Sequence, residues 1–430
     1  MSSLLSDPLT LPCGAILPNR IAKGAMTEGM ATPDGVATPE LERLYGIWSD
    51  GGAGMLLSGN IQIDRHHLER PGNVVIDGPA DDPTMAALKS WTKAATRNGN
   101  HFWAQISHGG RQTQSNVNKH PKAPSAVKLG LPGGQFGEPV ALTISEIEEL
   151  TDRFALAAKT CQAAGFTGAQ IHAAHGYLLS SFLSPRSNQR EDAYGGPLEN
   201  RARFLLDVIE KTRAAVGPDF PISVKLNSAD FQKGGFNFED SLQVVQWLET
   251  GSVDLDEISG GTYEQPALMG ADGMEEKEEQ NVAPSTKARE AYFVDFAKAM
   301  QAAVTVPLMV TGGFRTRAAM TSALESGAAD LIGLGRPMCV MTDAPKQLLD
   351  GLEALPRFED ELQLIPDWLG FLNKFQMVKA ISGFATIYWF YEQLESIGKR
   401  GTTIPKLSVF KAFRAVEARN KRILAARTLS

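Results

Sequence analysis

The chemistry-bearing residues of this 430-residue sequence concentrate in one stretch, IHAAHGYLLSSFLSPRSNQREDAYGGPLENRARF at 171–204, where His172 and His175 are followed at once by Tyr177. Two imidazole donors and a phenol so close in sequence can converge on one substrate oxygen and the carbon beside it. A histidine that merely satisfies a buried loop is the bland alternative. An HxxH zinc site is another, but no obvious third and fourth ligand accompanies it. Among the seven histidines, His108 in ISHGGRQ reads as a loop or supporting residue rather than a catalytic one. A second signal lies further on, in Thr311-Gly312-Gly313 and Gly333-Leu334-Gly335-Arg336. Glycines let backbone N–H groups come close to an anion, and an arginine adds a fixed cationic fork; tight turns are the competing use of such glycines.

Such residues need a frame, and short apolar runs rich in β-branched residues alternate here with longer amphipathic segments, the pattern of βα units on a parallel sheet. The spacing predicts strands near 20–26, 54–58, 101–106, 168–172, 221–226, 253–258, 306–311 and 329–333. Helices are expected at 39–50, 83–97, 145–164, 197–216, 238–250, 288–302 and 316–326, with Ser145 and Glu148 at a capping-box spacing. Eight such units in roughly 330 residues predict a closed (β/α)8 TIM barrel rather than an open sheet. The barrel is expected over 1–345, with a C-terminal helical appendage over 346–430 that is not an independent catalytic domain. Its apolar spacing runs through Trp368, Leu369, Leu372, Phe375 and Val378, and its basic end reads as a solvated helix face, with a contact in a homo-oligomer as the alternative. The connections 107–143 and 259–287 are long, and functional loops often have such lengths.

In a barrel, functional side chains lie just beyond the carboxyl ends of the strands. Thr27, Ser58-Gly59-Asn60, Gln105, His172, Lys225, Ser259-Gly260-Gly261, Gly312-Gly313 and Gly335-Arg336 all fall there. The last two groups are at the corner where barrels commonly bind phosphate.

Composition narrows the partners. With 43% hydrophobic and 21% charged residues the chain reads as globular, and a net charge of −7 argues against nucleic acid, whose phosphates need a basic surface. Cys13, Cys161 and Cys339 are too few and too scattered for a disulfide framework or a four-cysteine cluster, which favours a reducing, cytoplasmic setting. The start MSSLLSDPLTLPCG lacks a secretory pattern, and FATIYWFY at 384–391 falls far short of the ~18 apolar residues of a membrane span.

LPNRIAKGAMTEG at 17–29, HFWAQISHGGRQ at 101–112, the strand-4 stretch, TGGFRT and LIGLGRP occur in this order over roughly residues 5–345, and together they resemble the Old Yellow Enzyme family of NAD(P)H:flavin oxidoreductases. The resemblance implies noncovalent FMN across the barrel mouth, reduced by NADPH or NADH. It places Gly24, Ala25 and Thr27 along the flavin, with the Thr27 hydroxyl near O4. Asn60 and Gln105 would meet the pyrimidine edge, Lys225 the N1/O2 side, and Gly312, Gly313, Gly335 and Arg336 the phosphate. It further implies that His172 and His175 hold the carbonyl of an activated alkene, a small-molecule substrate, while Tyr177 donates the proton.

Those residue types suit the reaction, since hydride addition to the β-carbon of an α,β-unsaturated carbonyl builds negative charge on oxygen, where two imidazole donors stabilise it. Lys225 departs from the family's commoner arginine and supplies charge without a planar fork. Ala25 stands where many relatives have proline, and no aromatic closely follows Thr27. The competing readings are an NADH oxidase or dehydrogenase reaction on the same scaffold, and a cofactor-free lyase using Lys225 as a Schiff base.

Overall fold

The structure, a computed structural model, describes residues 4–131, 134–259, 296–365 and 376–428. Among these, eight parallel strands close on themselves: β1 (Ile21–Lys23), β2 (Met55–Gln62), β3 (His101–Ser107), β4 (Gly168–Ala173), β5 (Ile222–Asn227), β6 (Leu255–Ser259), β7 (Leu308–Thr311) and β8 (Leu331–Leu334). Each pairs with its sequence neighbours, and β8 pairs with β1 through Gly333 and Ala22. All eight expected strands are present, with the edges displaced by a few residues. Helices α1 (Pro39–Asp50), α2 (Asp82–Ala95), α3 (Ile144–Ala164), the short α4 (Leu178–Leu183), α5 (Leu198–Val216), α6 (Phe238–Thr250) and α7 (Arg317–Glu325) follow them.

Strand alternation divides the apolar residues into two sets. Ile21, Leu56, Phe102, Ile171, Val224, Ile258, Val310 and Ile332 face the helices and join the large outer core. Ala22, Met55, Leu57, Trp103, Leu255, Met309 and Leu331 face inward and pack with Leu9, Leu11 and Leu17. Those three come from the amino-terminal hairpin of Leu9–Thr10 and Ile16–Leu17, which closes the amino end of the barrel. The inward positions thus change from apolar to polar toward the strands' carboxyl ends.

One local expectation is corrected. The capping box of α3 uses Thr143 and Glu146, not Ser145 and Glu148: the Thr143 side chain accepts from the Glu146 backbone N–H, and Glu146 accepts from that of Thr143. The helix begins at Ile144, one residue before the expected start.

After α8 (Ala344–Leu349), the chain ends in α9 (Gln376–Arg400) and α10 (Val409–Ala426). Gly398 of α9 lies against Met30 and Glu40, where a β-carbon would come within 2.9 Å of the Met30 sulfur, and Arg43 donates to the Gly398 carbonyl at 2.7 Å. The Arg70 guanidinium stacks 4.0 Å from the Tyr391 ring centroid. The tail therefore returns to the loops after β1 and β2. Of the expected tail positions, Trp368, Leu369, Leu372 and Phe375 lie outside the described residues, as do 260–287 of the long second connection and the first part of the 288–302 helix. Among the described residues, no helix is long and apolar enough to cross a membrane.

Candidate active site

His172 is 3% exposed on the last turn of β4, and the Ala174 backbone N–H donates to its Nδ1 at 3.2 Å, so the ring carries its proton on Nε2. The chain then turns sharply. His175 adopts φ 63°, a left-handed conformation unusual for a non-glycine residue, and Gly176 follows at φ 79°. The His175 N–H donates to Asn227 Oδ1 at 3.0 Å, and Asn227 in turn donates to Asp230 at 3.0 Å, so β5 holds the strained turn. As a result His172 and His175 ring centroids lie 5.1 Å apart, and His172 and Tyr177 4.8 Å apart with near-perpendicular rings. The three side chains singled out in the sequence are brought together. They are not equivalent, because His175 Nε2 sits 2.7 Å from Ser259 Oγ on β6.

Burial, His175 and the Lys225 ammonium hold His172 well below the usual imidazole pKa; burial and Lys225 do the same to His175. Both rings are neutral at pH 7. Burial also depresses His101, and burial together with His67 lowers His108 to about 4. At these four histidines the unfolded chain binds more protons than the folded one below about pH 6.5, so their contribution to stability falls with pH in that range. Fewer groups, the buried carboxyls of Asp230 and Asp256, act in the opposite sense. For His108 alone the loss by pH 4 is on the order of 3 kcal/mol at 1.36 kcal/mol per unit. Urea unfolding midpoints should therefore drop steadily from pH 6.5 to 4; a flat profile would show that these rings take up protons while folded.

Below His172 lies a layer of buried polar groups. Gln105 donates to Gln170 Oε1 at 2.6 Å, Gln170 donates to Glu257 Oε2 at 2.8 Å, and Lys225 pairs with Glu257 Oε1 at 2.8 Å. Gln170 and Glu257 were missed in the sequence. The signal was strand parity: Gln170 lies two residues before His172 on the same inward face, and Glu257 two before Ser259.

On the opposite wall, β2 shifts register against β3 between Leu57 and Asn60, and the bulge places Gly59 against the loop after β1, while Ser58 Oγ accepts from the Gln105 N–H on β3. Only glycine fits at 59, where a β-carbon would lie 2.2 Å from Glu28 Oε2 and 2.7 Å from the Met26 carbonyl. Asn60 is thereby turned toward Thr27. Both meet an unanticipated carboxylate: Thr27 donates to Glu69 Oε2 at 2.6 Å, and Asn60 and Asn73 approach it at 3.5 and 3.4 Å. The Thr27 hydroxyl hydrogen is thus committed to Glu69, leaving its oxygen as an acceptor. Gly24 continues β1, donating to the Leu334 carbonyl at 2.8 Å, and Ala25 packs on the inner apolar cluster below.

The remaining residues gather after β7 and β8. Gly312 and Gly313 both have positive φ, 113° and 80°, which turns the backbone as few side chains allow. A β-carbon on Gly335 would meet nothing within 4 Å. Arg336 stands 3.6 Å from Glu359, whose other partner is Arg315 at 2.7 Å, a second cation that the sequence did not flag. Burial works to raise the Glu359 carboxyl, but Arg336 and Arg315 hold it below its ordinary range. Glu359 is 23 residues beyond Arg336, so no local spacing marks this pairing.

One further cluster has the look of a metal site. Asp64, His67 and His108 bring ligand atoms within 4.8 Å of one another. The hydrogen bonds oppose it. His67 Nε2 accepts the Lys122 N–H at 2.9 Å, which puts the ring proton on Nδ1, the atom that would face the ion and that donates to Asp64 at 2.9 Å. Arg153 adds a positive charge 3.6 Å from the same carboxylate. The cluster is a clamp that ties the loops after β2 and β3.

A family model for the NADH:flavin oxidoreductase / NADH oxidase family matches residues 5–354, spanning every barrel strand and both glycine turns. The chain belongs to that family. It is an oxidoreductase of the Old Yellow Enzyme family, whose cofactor is FMN and whose reductant is a reduced nicotinamide. Similar proteins include the NADH-dependent flavin oxidoreductase iliE of Hypocrea jecorina, 37% identical over 360 residues that cover 80% of this chain and 88% of that one. The NADH-dependent flavin oxidoreductase iccE of Talaromyces variabilis is 33% identical over 413 residues, covering 92% and 99%. Among solved structures, the old yellow enzyme homologue from Zymomonas mobilis superposes with a TM-score of 0.68 at 27% identity, over 83% of this chain and 95% of that one. A 2-naphthoyl-CoA reductase superposes at 0.73 with 23% identity, over 82% of this chain, which spans only 53% of that larger protein.

The residues of this oxidoreductase fit FMN. Gly312, Gly313 and the open space at Gly335, with Arg336 and Arg315 nearby, suit a phosphate, and Asn60 Oδ1 is a buried acceptor with no hydrogen-bond partner, matched to a ring N–H.

Proposed function

We propose that this FMN-dependent oxidoreductase is an ene-reductase, reducing α,β-unsaturated carbonyls or related activated alkenes, with Tyr177 as the proton donor. The observation that carries the reading is the pairing of His172 and Tyr177, two buried hydrogen-bond donors 4.8 Å apart between ring centroids at the end of β4. FMN, when bound, supplies the hydride. The chain's own residues then have distinct tasks. His172, neutral and protonated on Nε2, donates to the substrate carbonyl oxygen and stabilises the negative charge that grows there. His175 aids it from the Ser259 side and closes that end of the pocket. Tyr177 gives its proton to the α-carbon as a positioned general acid.

Gly24, Ala25 and Thr27 would line the flavin, Asn60 and Gln105 its pyrimidine edge, and Lys225 its N1/O2 side. Gly312, Gly313, Gly335 and Arg336 would hold the phosphate, with Arg315 beside them. Because the Arg336 side chain is 38% exposed, its contact is screened by water. Arg336→Ala should therefore weaken FMN retention by about tenfold, at the lower end of the ~1.5–3 kcal/mol of a charged hydrogen bond. Undiminished retention in equilibrium dialysis would move the phosphate elsewhere.

A cytoplasmic setting, the barrel over 1–345 and a noncatalytic helical tail over 346–430 complete the proposal. Anaerobic turnover of NADH and NADPH against a small panel of enones tests it. Alkene-dependent nicotinamide oxidation supports an ene-reductase, whereas turnover that needs oxygen favours the oxidase reaction of the same family.

A further inference from the structure

We propose that Glu257 is a positioning residue that balances the charge of Lys225 and so sets how strongly the site favours electron-rich flavin. The inference rests on the reading that Lys225 faces the flavin N1/O2 edge. Lys225 is 4% exposed, and its ammonium lies 2.8 Å from Glu257 Oε1 on the neighbouring strand. Glu257 is fully buried, and the register places Lys225 directly beside it, so the pair is built into the β5–β6 ladder. A lone ammonium at the N1/O2 edge would attract the negative charge that reduction places there. With a carboxylate against it, the two charges largely cancel at the distance of the flavin.

The second oxygen of Glu257 extends its reach. A carboxylate can only accept here, so Gln170 must offer its amide nitrogen to it, at 2.8 Å, and turn its oxygen to Gln105. Gln105 then gives its own nitrogen to Gln170 at 2.6 Å and keeps its oxygen as an acceptor, the polarity that suits a pyrimidine N–H. One buried carboxylate thus governs both Lys225 and Gln105, without touching the flavin itself.

The test compares FMN-loaded wild type with Glu257→Gln, Lys225→Gln and the double variant, reading the two-electron midpoint potential and the affinity for sulfite. Sulfite is a useful probe because it adds to oxidised flavin and leaves negative charge at the N1/O2 edge. Glu257→Gln should bind sulfite on the order of tenfold more tightly and raise the potential by the same factor, about 30 mV for a two-electron couple. Lys225→Gln should shift both in the opposite direction. The double variant, with no net charge lost, should return toward wild type. If Glu257→Gln does not retain FMN, the comparison of Lys225→Gln with the double variant decides. A double variant that behaves like Lys225→Gln alone, or a Glu257→Gln indistinguishable from wild type while Lys225→Gln shifts, overturns the role of Glu257. If Lys225→Gln changes neither quantity with FMN bound, the placement of Lys225 beside N1/O2 is wrong, and the inference falls with it.

Discussion

Tyr177→Phe should slow alkene reduction by roughly 10²–10⁴-fold, the usual worth of a positioned general acid, while leaving reduction of FMN by the nicotinamide nearly intact. The two half-reactions differ in what they ask of the protein. Nicotinamide oxidation delivers hydride and needs no proton on a substrate carbon, whereas alkene reduction ends with one. Tyr177 is 5% exposed and its ring packs edge-on against His172, so phenylalanine preserves the packing and removes only the hydroxyl. The defect should be smallest for nitroalkenes, whose reduced anion is stable enough to leave before it is protonated. Stopped-flow traces of each half-reaction separate the outcomes. Equal slowing of both would point to a distorted pocket, and unimpaired enone reduction would assign the proton to water or another group.

The second large effect concerns the histidines, and here the structure predicts an asymmetry that two neighbouring histidines in a sequence do not. His172→Ala should lower alkene reduction by about 10²–10³-fold, as expected for losing one donor to a developing oxyanion. It should also abolish the long-wavelength band that a phenolate stacked on oxidised flavin produces. His175→Ala should cost less, because its Nε2 is engaged by Ser259 Oγ at 2.7 Å rather than committed to the substrate. Phenol titrations of the two variants, read beside enone turnover, check the order. Equal losses would mean that His175 turns from Ser259 to the substrate, and retention of both properties in His172→Ala would leave that residue a structural one.

Much of the fold was legible because strand and helix periods differ. Runs such as PISVKL at 221–226 and PLMVTG at 307–312, each followed by an amphipathic stretch or a glycine turn, announced βα units, and their number announced closure. Edges were less legible. Thr143 rather than Ser145 caps α3, although both offer a hydroxyl three residues before a glutamate, so the spacing alone does not choose between them. In the site, His172, His175 and Tyr177 could be named early because histidine and tyrosine at a strand end have few structural uses.

What the sequence alone determined was therefore the kind of scaffold, the strand ends and the residues with conspicuous chemistry. What only the tertiary structure decided was who meets whom across strands: Glu257 against Lys225, Glu69 against Thr27, and Glu359 between Arg315 and Arg336. All three are acidic residues that a linear reading takes for ordinary solvated charges. Their partners lie 32, 42 and 44 or 23 positions away, differences between the paired residue numbers. Strand pairing and the loops it anchors bring such residues together, and a carboxylate withdrawn from water must find a donor or a cation.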